Sequence, residues 1–252
     1  MLFVLLLGFL AAQCKHSRIE IDEAETSIAD DEYRDCSDIY GSLDLPKTLK
    51  TIGSYAFYGC SGLSGTLLIP DKVVSIGENA FQGCSSFSRL NLSYSLVEIG
   101  DGAFQNCNNL DSDLTIPDSV TTIGESAFKN CNNLKYLVLG RSLKVINSSA
   151  FENLNRCYGP LVIPDSVEYI GESAFAECNS FIYLRLGKNV KFIGNYSFQN
   201  CLGFNGINNL PSTLETLGEK AFYNCQNMVG DITISDLITV INEDTFNNCQ
   251  KL

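Results

Sequence analysis

The chain has 252 residues, 45% of them hydrophobic, and carries 29 acidic against 17 basic side chains for a net charge of −12. That balance lacks the basic footprint nucleic acid requires, and His16, the single histidine, provides neither a histidine-based triad nor a zinc site in the body of the chain. No catalytic residue, metal or cofactor is expected, because the sequence also lacks a Gly-rich phosphate loop and closely spaced cysteine pairs.

Residues 1–14 read as a signal peptide. The apolar run at residues 2–12 is too short to span a bilayer and gives way to Gln13, Cys14 and Lys15. Its removal would leave no transmembrane helix in the mature chain and would direct the protein to secretion or the cell surface. Residues 15–42 are rich in acids. Counting 24 residues back from Phe57 nevertheless finds Tyr33, with Cys36 three further on, Ile28 five before, and Ile19 and Ile21 as an aliphatic pair. The segment is therefore expected to be a degenerate, acidic capping repeat.

Residues 43–252 repeat one phrase nine times, with phenylalanines at Phe57, Phe81, Phe104, Phe128, Phe151, Phe175, Phe198, Phe222 and Phe246. A spacing of 23 or 24 residues cannot enclose a core within one unit, so the units must stack into an open solenoid. The fold class expected is α/β, with a parallel sheet on one face and short helical turns and second strand-like segments on the others. In each unit an alternating pair such as Leu137/Leu139 predicts a strand, and stacking would join these strands into one parallel sheet. A second aliphatic pair follows, such as Val120/Ile123. Ala127, Phe128 and Cys131 then have the spacing of a single helical turn. Glu78, Asp101, Glu125, Glu172, Glu219 and Glu243 fall where such a turn would begin and read as acids favoured at helix starts rather than as an ion site.

Pro70, Pro117, Pro164 and Pro211 recur every 47 residues, with Ser93, Gly140 and Gly187 in the alternate units. Two unit types therefore alternate along the chain. The phrase Ile-Pro-Asp-Ser-Val at Ile116 and Ile163, followed by Ile-Gly-Glu-Ser-Ala-Phe-x-x-Cys at Ile123 and Ile170, resembles the BspA-type leucine-rich repeat. The resemblance implies a surface or secreted protein that adheres to host matrix proteins or to other cells.

Of the eleven cysteines, Cys36, Cys60, Cys84, Cys107, Cys131, Cys178, Cys201, Cys225 and Cys249 share one column. Leu154 takes that slot in the odd unit, where Cys157 stands in the leucine position, so the slot accepts an aliphatic residue. The column is accordingly read as buried free thiols rather than bridges.

The residues between the leucines of each strand pair point away from the core. In the central units these are Tyr136, Val138, Val162, Tyr183 and Arg185, an aromatic, aliphatic and arginine group suited to docking a protein ligand such as a matrix or cell-surface protein. N-glycosylation sequons stand at Asn91, Asn147 and Asn195. The last unit lacks the polar residues of a cap, so its open edge could support self-association. Adhesion through the sheet face is the leading reading. A surface coat or decoy without a dedicated ligand, and an intracellular protein-binding scaffold, are the alternatives.

Overall fold

The computed structural model describes Cys14 and residues 18–252; apart from Cys14, the leader read at residues 1–14 lies outside the described residues. No helix in the described residues is long and apolar enough to cross a membrane.

Fifteen short strands form parallel sheets. Nine of them build one continuous sheet along the rod: β1 (Ser27–Ile28), β2 (Thr51–Ile52), β4 (Ser75–Ile76), β6 (Glu98–Ile99), β8 (Thr122–Ile123), β10 (Val145–Ile146), β12 (Tyr169–Ile170), β14 (Phe192–Ile193) and β15 (Thr216–Leu217). The second residue of each strand is buried, which produces an aliphatic file from Ile28 to Leu217. Glycines such as Gly100 and Gly124 follow these strands. A Cβ on Gly124 would lie 2.5 Å from the Asp101 nitrogen, so the units approach too closely there for a side chain.

The continuous sheet thus arises from the second aliphatic pair, and the leucine-pair strands do not form the single sheet expected of them. They join only in twos, β3 (Gly65–Leu68) with β5 (Phe87–Asn91), β7 (Leu114–Thr115) with β9 (Leu137–Val138), and β11 (Gly159–Val162) with β13 (Phe181–Arg185). The alternating unit types explain the pairing. Within a pair the extra residue of the second strand is absorbed as a bulge at Ser88 or Ile182. Between β9 and β11, Tyr158 still donates to the Lys135 carbonyl at 2.8 Å. The break recurs between β5 and β7, where the Asp111 N–H donates to the Ser88 carbonyl at 2.9 Å, so the seam follows the unit pair; at β11 Pro160 in addition has no N–H to offer the ladder.

The Ala-Phe-x-x-Cys segments are not helical, contrary to their spacing. Each, with the residue before it, holds two positive-φ residues four positions apart, Ser126 (55°) and Asn130 (63°) in one unit and Tyr196 (58°) and Asn200 (59°) in another. Left-handed residues cannot continue a right-handed helix. The backbone instead makes tight turns, with the Cys131 N–H donating to Phe128 O at 3.2 Å, while alternate N–H groups donate to the next unit, as Phe128 does to Ala150 O at 2.8 Å. The acids read as helix-start residues therefore stand at stacked turns. Asp101 there accepts the Glu125 N–H at 2.7 Å through a carboxylate oxygen.

Inside the rod the aromatic rings form an unbroken stack. Tyr33 lies 5.2 Å from Phe57, and the file continues to Phe246 at centroid spacings no greater than 5.6 Å, all nearly parallel. The cysteine column runs beside it. Cys84 Sγ donates to Phe57 O at 3.1 Å and Cys131 Sγ to Phe104 O at 3.2 Å, so these column thiols bind the aromatic residue's carbonyl of the preceding unit, which for Cys60 is that of Tyr33. Nine cysteines are free. Cys36 departs from the reading of its column, being disulfide-bonded to Cys14 with Cα atoms 5.4 Å apart.

A hydroxyl file ties the turns after the leucine-pair strands. Ser119 Oγ lies 2.8 Å from Tyr94 O and 2.6 Å from Leu96 O, and Thr48 and Thr213 repeat the arrangement in their units. Ser166 occupies the same slot, but its Oγ is enclosed and unbonded. Ser119→Ala is expected to lower stability by about 1 kcal/mol, whereas Ser166→Ala should change it by only a few tenths or raise it. Urea denaturation followed by circular dichroism distinguishes the two, and equal losses would refute the difference.

Candidate functional site

Four of the five candidate docking residues come together at the seam between β9 and β11. A groove of about 750 Å³ is lined by Tyr136 and Val138 from one side and Pro160 and Val162 from the other, with Arg185 contributed by β13. All are exposed, as strand alternation requires of residues flanking buried Leu137 and Leu161. Register sets the neighbours. Val162 pairs with Arg185 across β11 and β13, and Thr115 pairs with Val138 across β7 and β9.

Tyr183 is not part of the groove. It pairs with Pro160 from the far side, and its ring covers Gly206, whose added Cβ would come within 3.1 Å of it. Tyr136 lies in the same way over Gly159, with its ring centroid 4.1 Å from that of Tyr158. The neighbouring Tyr158 phenol raises the Tyr136 pKa from its ordinary value of 10.0. Tyr136 therefore remains a neutral hydrogen-bonding group at physiological pH, beside an apolar floor.

The turn that follows each strand contributes residues that alternation alone could not identify. Arg141, Pro164, Asp165 and Ser166 close one end of the groove. Asp118 accepts the Arg141 backbone N–H at 2.7 Å, and Asp165 accepts that of Lys188 at 3.1 Å while Lys188 Nζ stands 3.8 Å from the same carboxylate. The sequence does mark this turn, through the Pro-Asp-Ser phrase and the residue after Gly140, but only stacking carries it to the groove.

The sequons lie elsewhere. Asn91 is exposed on β5, whereas Asn147 is half-buried with its side-chain nitrogen donating to Ile123 O at 3.0 Å. Asn195 is exposed and accepts the Glu219 N–H at 2.9 Å, while Ser197 of the same sequon is buried. At the C-terminal side Val240 and Ile241 follow the sheet phase but are 63% and 58% exposed, and the nine-stranded sheet ends at β15.

The profile of the BspA type leucine rich repeat region matches in six copies, over residues 10–112, 65–158 and 155–252. A leucine rich cell surface protein from Faecalibacterium prausnitzii is 26% identical, with a TM-score of 0.62 over 89% of this chain and 68% of that one. The leucine rich repeat protein of T. pallidum is also 26% identical, with a TM-score of 0.51 over 84% of this chain and 80% of that one. No curated protein matches the chain.

Proposed function

Since this chain belongs to the BspA-type leucine-rich repeat family, we propose that it is a secreted or cell-surface protein that adheres to matrix proteins or other cells by docking a protein ligand in the seam groove. The observation that carries this reading is the exposed group of Tyr136, Val138, Pro160 and Val162 lining one concavity in the middle of the rod. Aromatic and aliphatic side chains fixed on strands are costly to leave in water and lose little entropy when covered. Similarity to a bacterial cell surface protein supports the location. No catalytic role is part of this reading.

Binding to a panel of purified extracellular matrix proteins and to intact cells, measured by surface plasmon resonance and cell-adhesion assays, should reveal a saturable partner. The Tyr136→Ala/Val162→Ala variant is expected to bind it at least tenfold more weakly, a loss of about 1.4 kcal/mol or more, with an unchanged melting temperature. Tyr183→Ala, outside the groove, should matter less. Unaltered binding by the double variant would remove the groove from the mechanism, and absence of any saturable partner would favour a coat protein.

A further inference from the structure

The chain is strongly acidic, and its lysines are mostly drawn into ion pairs. Lys129, Lys135, Lys144, Lys188, Lys191 and Lys220 each stand within 4 Å of a carboxylate. Arg141 and Arg185, which line the seam groove, form no ion pair among the described residues. Arg89 and Arg156 are likewise unpaired, but they stand outside the groove.

Two carboxylates also line the concavity. Asp165 is offset by the Lys188 ammonium and backbone N–H described above. Asp113 precedes β7, on the flank opposite Arg185. The groove is therefore polarised across the stack, with Asp113 at one side, Tyr136, Val138, Pro160 and Val162 as an apolar floor, and Arg185 at the other, while Arg141, in the turn after β9, stands at the end of the groove.

We propose that the groove takes an extended acidic segment of a protein partner, an aliphatic side chain resting between Val138 and Val162 and neighbouring carboxylates met by Arg185 on one flank and by Arg141 at the turn end. This rests on the docking reading above and deepens it by specifying the chemistry of the ligand. Arginine suits the task because its planar guanidinium donates two parallel hydrogen bonds to a carboxylate. From the unit of Asp113 to that of Arg185 there are three inter-strand steps of about 4.8 Å each, a span covered by four or five extended residues at about 3.4 Å apiece. The recognised element is thus short, apolar at one end and acidic at the other. In a protein of net charge −12, an acidic partner would otherwise be repelled, and the two free guanidinia make this groove the place it is accepted.

The test uses fluorescein-labelled eight-residue peptides, alternating Glu-Leu, Gln-Leu and Lys-Leu, titrated with the full chain by fluorescence anisotropy. The Glu-Leu peptide should bind at least tenfold more tightly than the Gln-Leu peptide, and its affinity should fall severalfold when salt is raised from about 50 to 500 mM. Arg141→Gln/Arg185→Gln should abolish the preference for Glu-Leu, while the control Arg89→Gln/Arg156→Gln should preserve it. Equal binding of the Glu-Leu and Gln-Leu peptides overturns the inference, as does no Glu-Leu binding up to about 1 mM. So does a preference that responds equally to both arginine pairs, which would reflect general charge. Displacement of a matrix ligand by heparin fragments but not by Glu-Leu would assign the arginines to a sulfated glycan and overturn it as well. If the arginine variant keeps its matrix partner while Tyr136→Ala/Val162→Ala loses it, acidic recognition fails and the docking reading stands.

Discussion

Phe128→Ala should cost about 3–5 kcal/mol of stability, the range for deleting a fully buried aromatic ring. The ring is wholly inaccessible and is sandwiched between Phe104 at 5.2 Å and Phe151 at 5.4 Å. No neighbour can collapse into the space, because each ring is fixed by its own unit's turn and by hydrogen bonds to the units on either side. In a one-dimensional array the hole also weakens the coupling between the two halves of the rod. Urea unfolding of the variant should therefore broaden, or divide into two steps. Phe246→Ala gives the comparison, since that ring is half-buried and stacks only on Phe222, at 5.5 Å. It should cost less than half as much. Equal losses at the two positions would mean that the stack does not transmit stability along the rod.

Alkaline pH should unfold the protein through its thiols. Burial pushes Cys60, Cys131 and Cys157 up to about 12 from an ordinary 9.0, and Cys84, Cys107 and Cys178 are raised by the same cause. The unfolded chain releases these protons near pH 9 while the folded chain retains them. The stabilisation is therefore complete below pH 9 and falls away as pH climbs toward 12, by about 1.4 kcal/mol per pH unit for each thiol. Three such thiols together remove about 4 kcal/mol per unit, enough to exhaust a typical margin of about 5–15 kcal/mol before pH 12. Tyr33, also pushed up to about 12 by burial, adds to the loss above pH 10. Urea midpoints measured between pH 8 and about 10.5 should fall steeply. A Cys60→Ala/Cys131→Ala/Cys157→Ala variant should show a shallower slope. A midpoint that stays level over this range would contradict the assignment of the column as buried thiols.

The aromatic file was legible because the Phe spacing is nearly constant and only stacking can bury a ring in so short a unit. The turns are harder to read because Ala127, Phe128 and Cys131 fit a helical spacing, and the better clue is the residue before cysteine. Gly59, Gly83, Asn106, Asn130, Asn200, Asn224 and Asn248 occupy that position with positive φ, as Asn153 does before Leu154 in the odd unit, and only Asp35 and Glu177 depart from Gly or Asn. Glycine and asparagine tolerate the left-handed region best, so the column signals a turn rather than a helix. In three of the four Asn-to-Asn neighbours the side-chain amide donates a well-formed hydrogen bond to the Oδ1 of the preceding unit, Asn130 to Asn106, Asn153 to Asn130 and Asn224 to Asn200, each at 2.8 Å.

For the site, alternation correctly exposed Tyr136, Val138, Val162 and Arg185, because side-chain direction on a strand is fixed by parity. It could not reveal the seam. That depends on how units of two lengths stack, which separates β5 from β7 as it does β9 from β11 and matters only once a neighbouring strand is present. Arg141 was overlooked for a related reason, since it lies on a turn and approaches the groove through stacking rather than through its own strand.

The seam recurs with the unit pair, and that gives the pair a role in heredity. An unequal crossover displaced by 47 residues would return every ring and every proline turn to an equivalent partner, whereas one displaced by 23 or 24 would set two like units side by side. Copy number can therefore drift in whole pairs without redesign of the interior. Each added pair supplies another interruption in the leucine-strand row. Valency, with avidity through linked contacts, rises only where the added pair also repeats the residues of the β9/β11 groove, which the β5/β7 seam, with Arg89, Asn91, Asp113 and Thr115, does not.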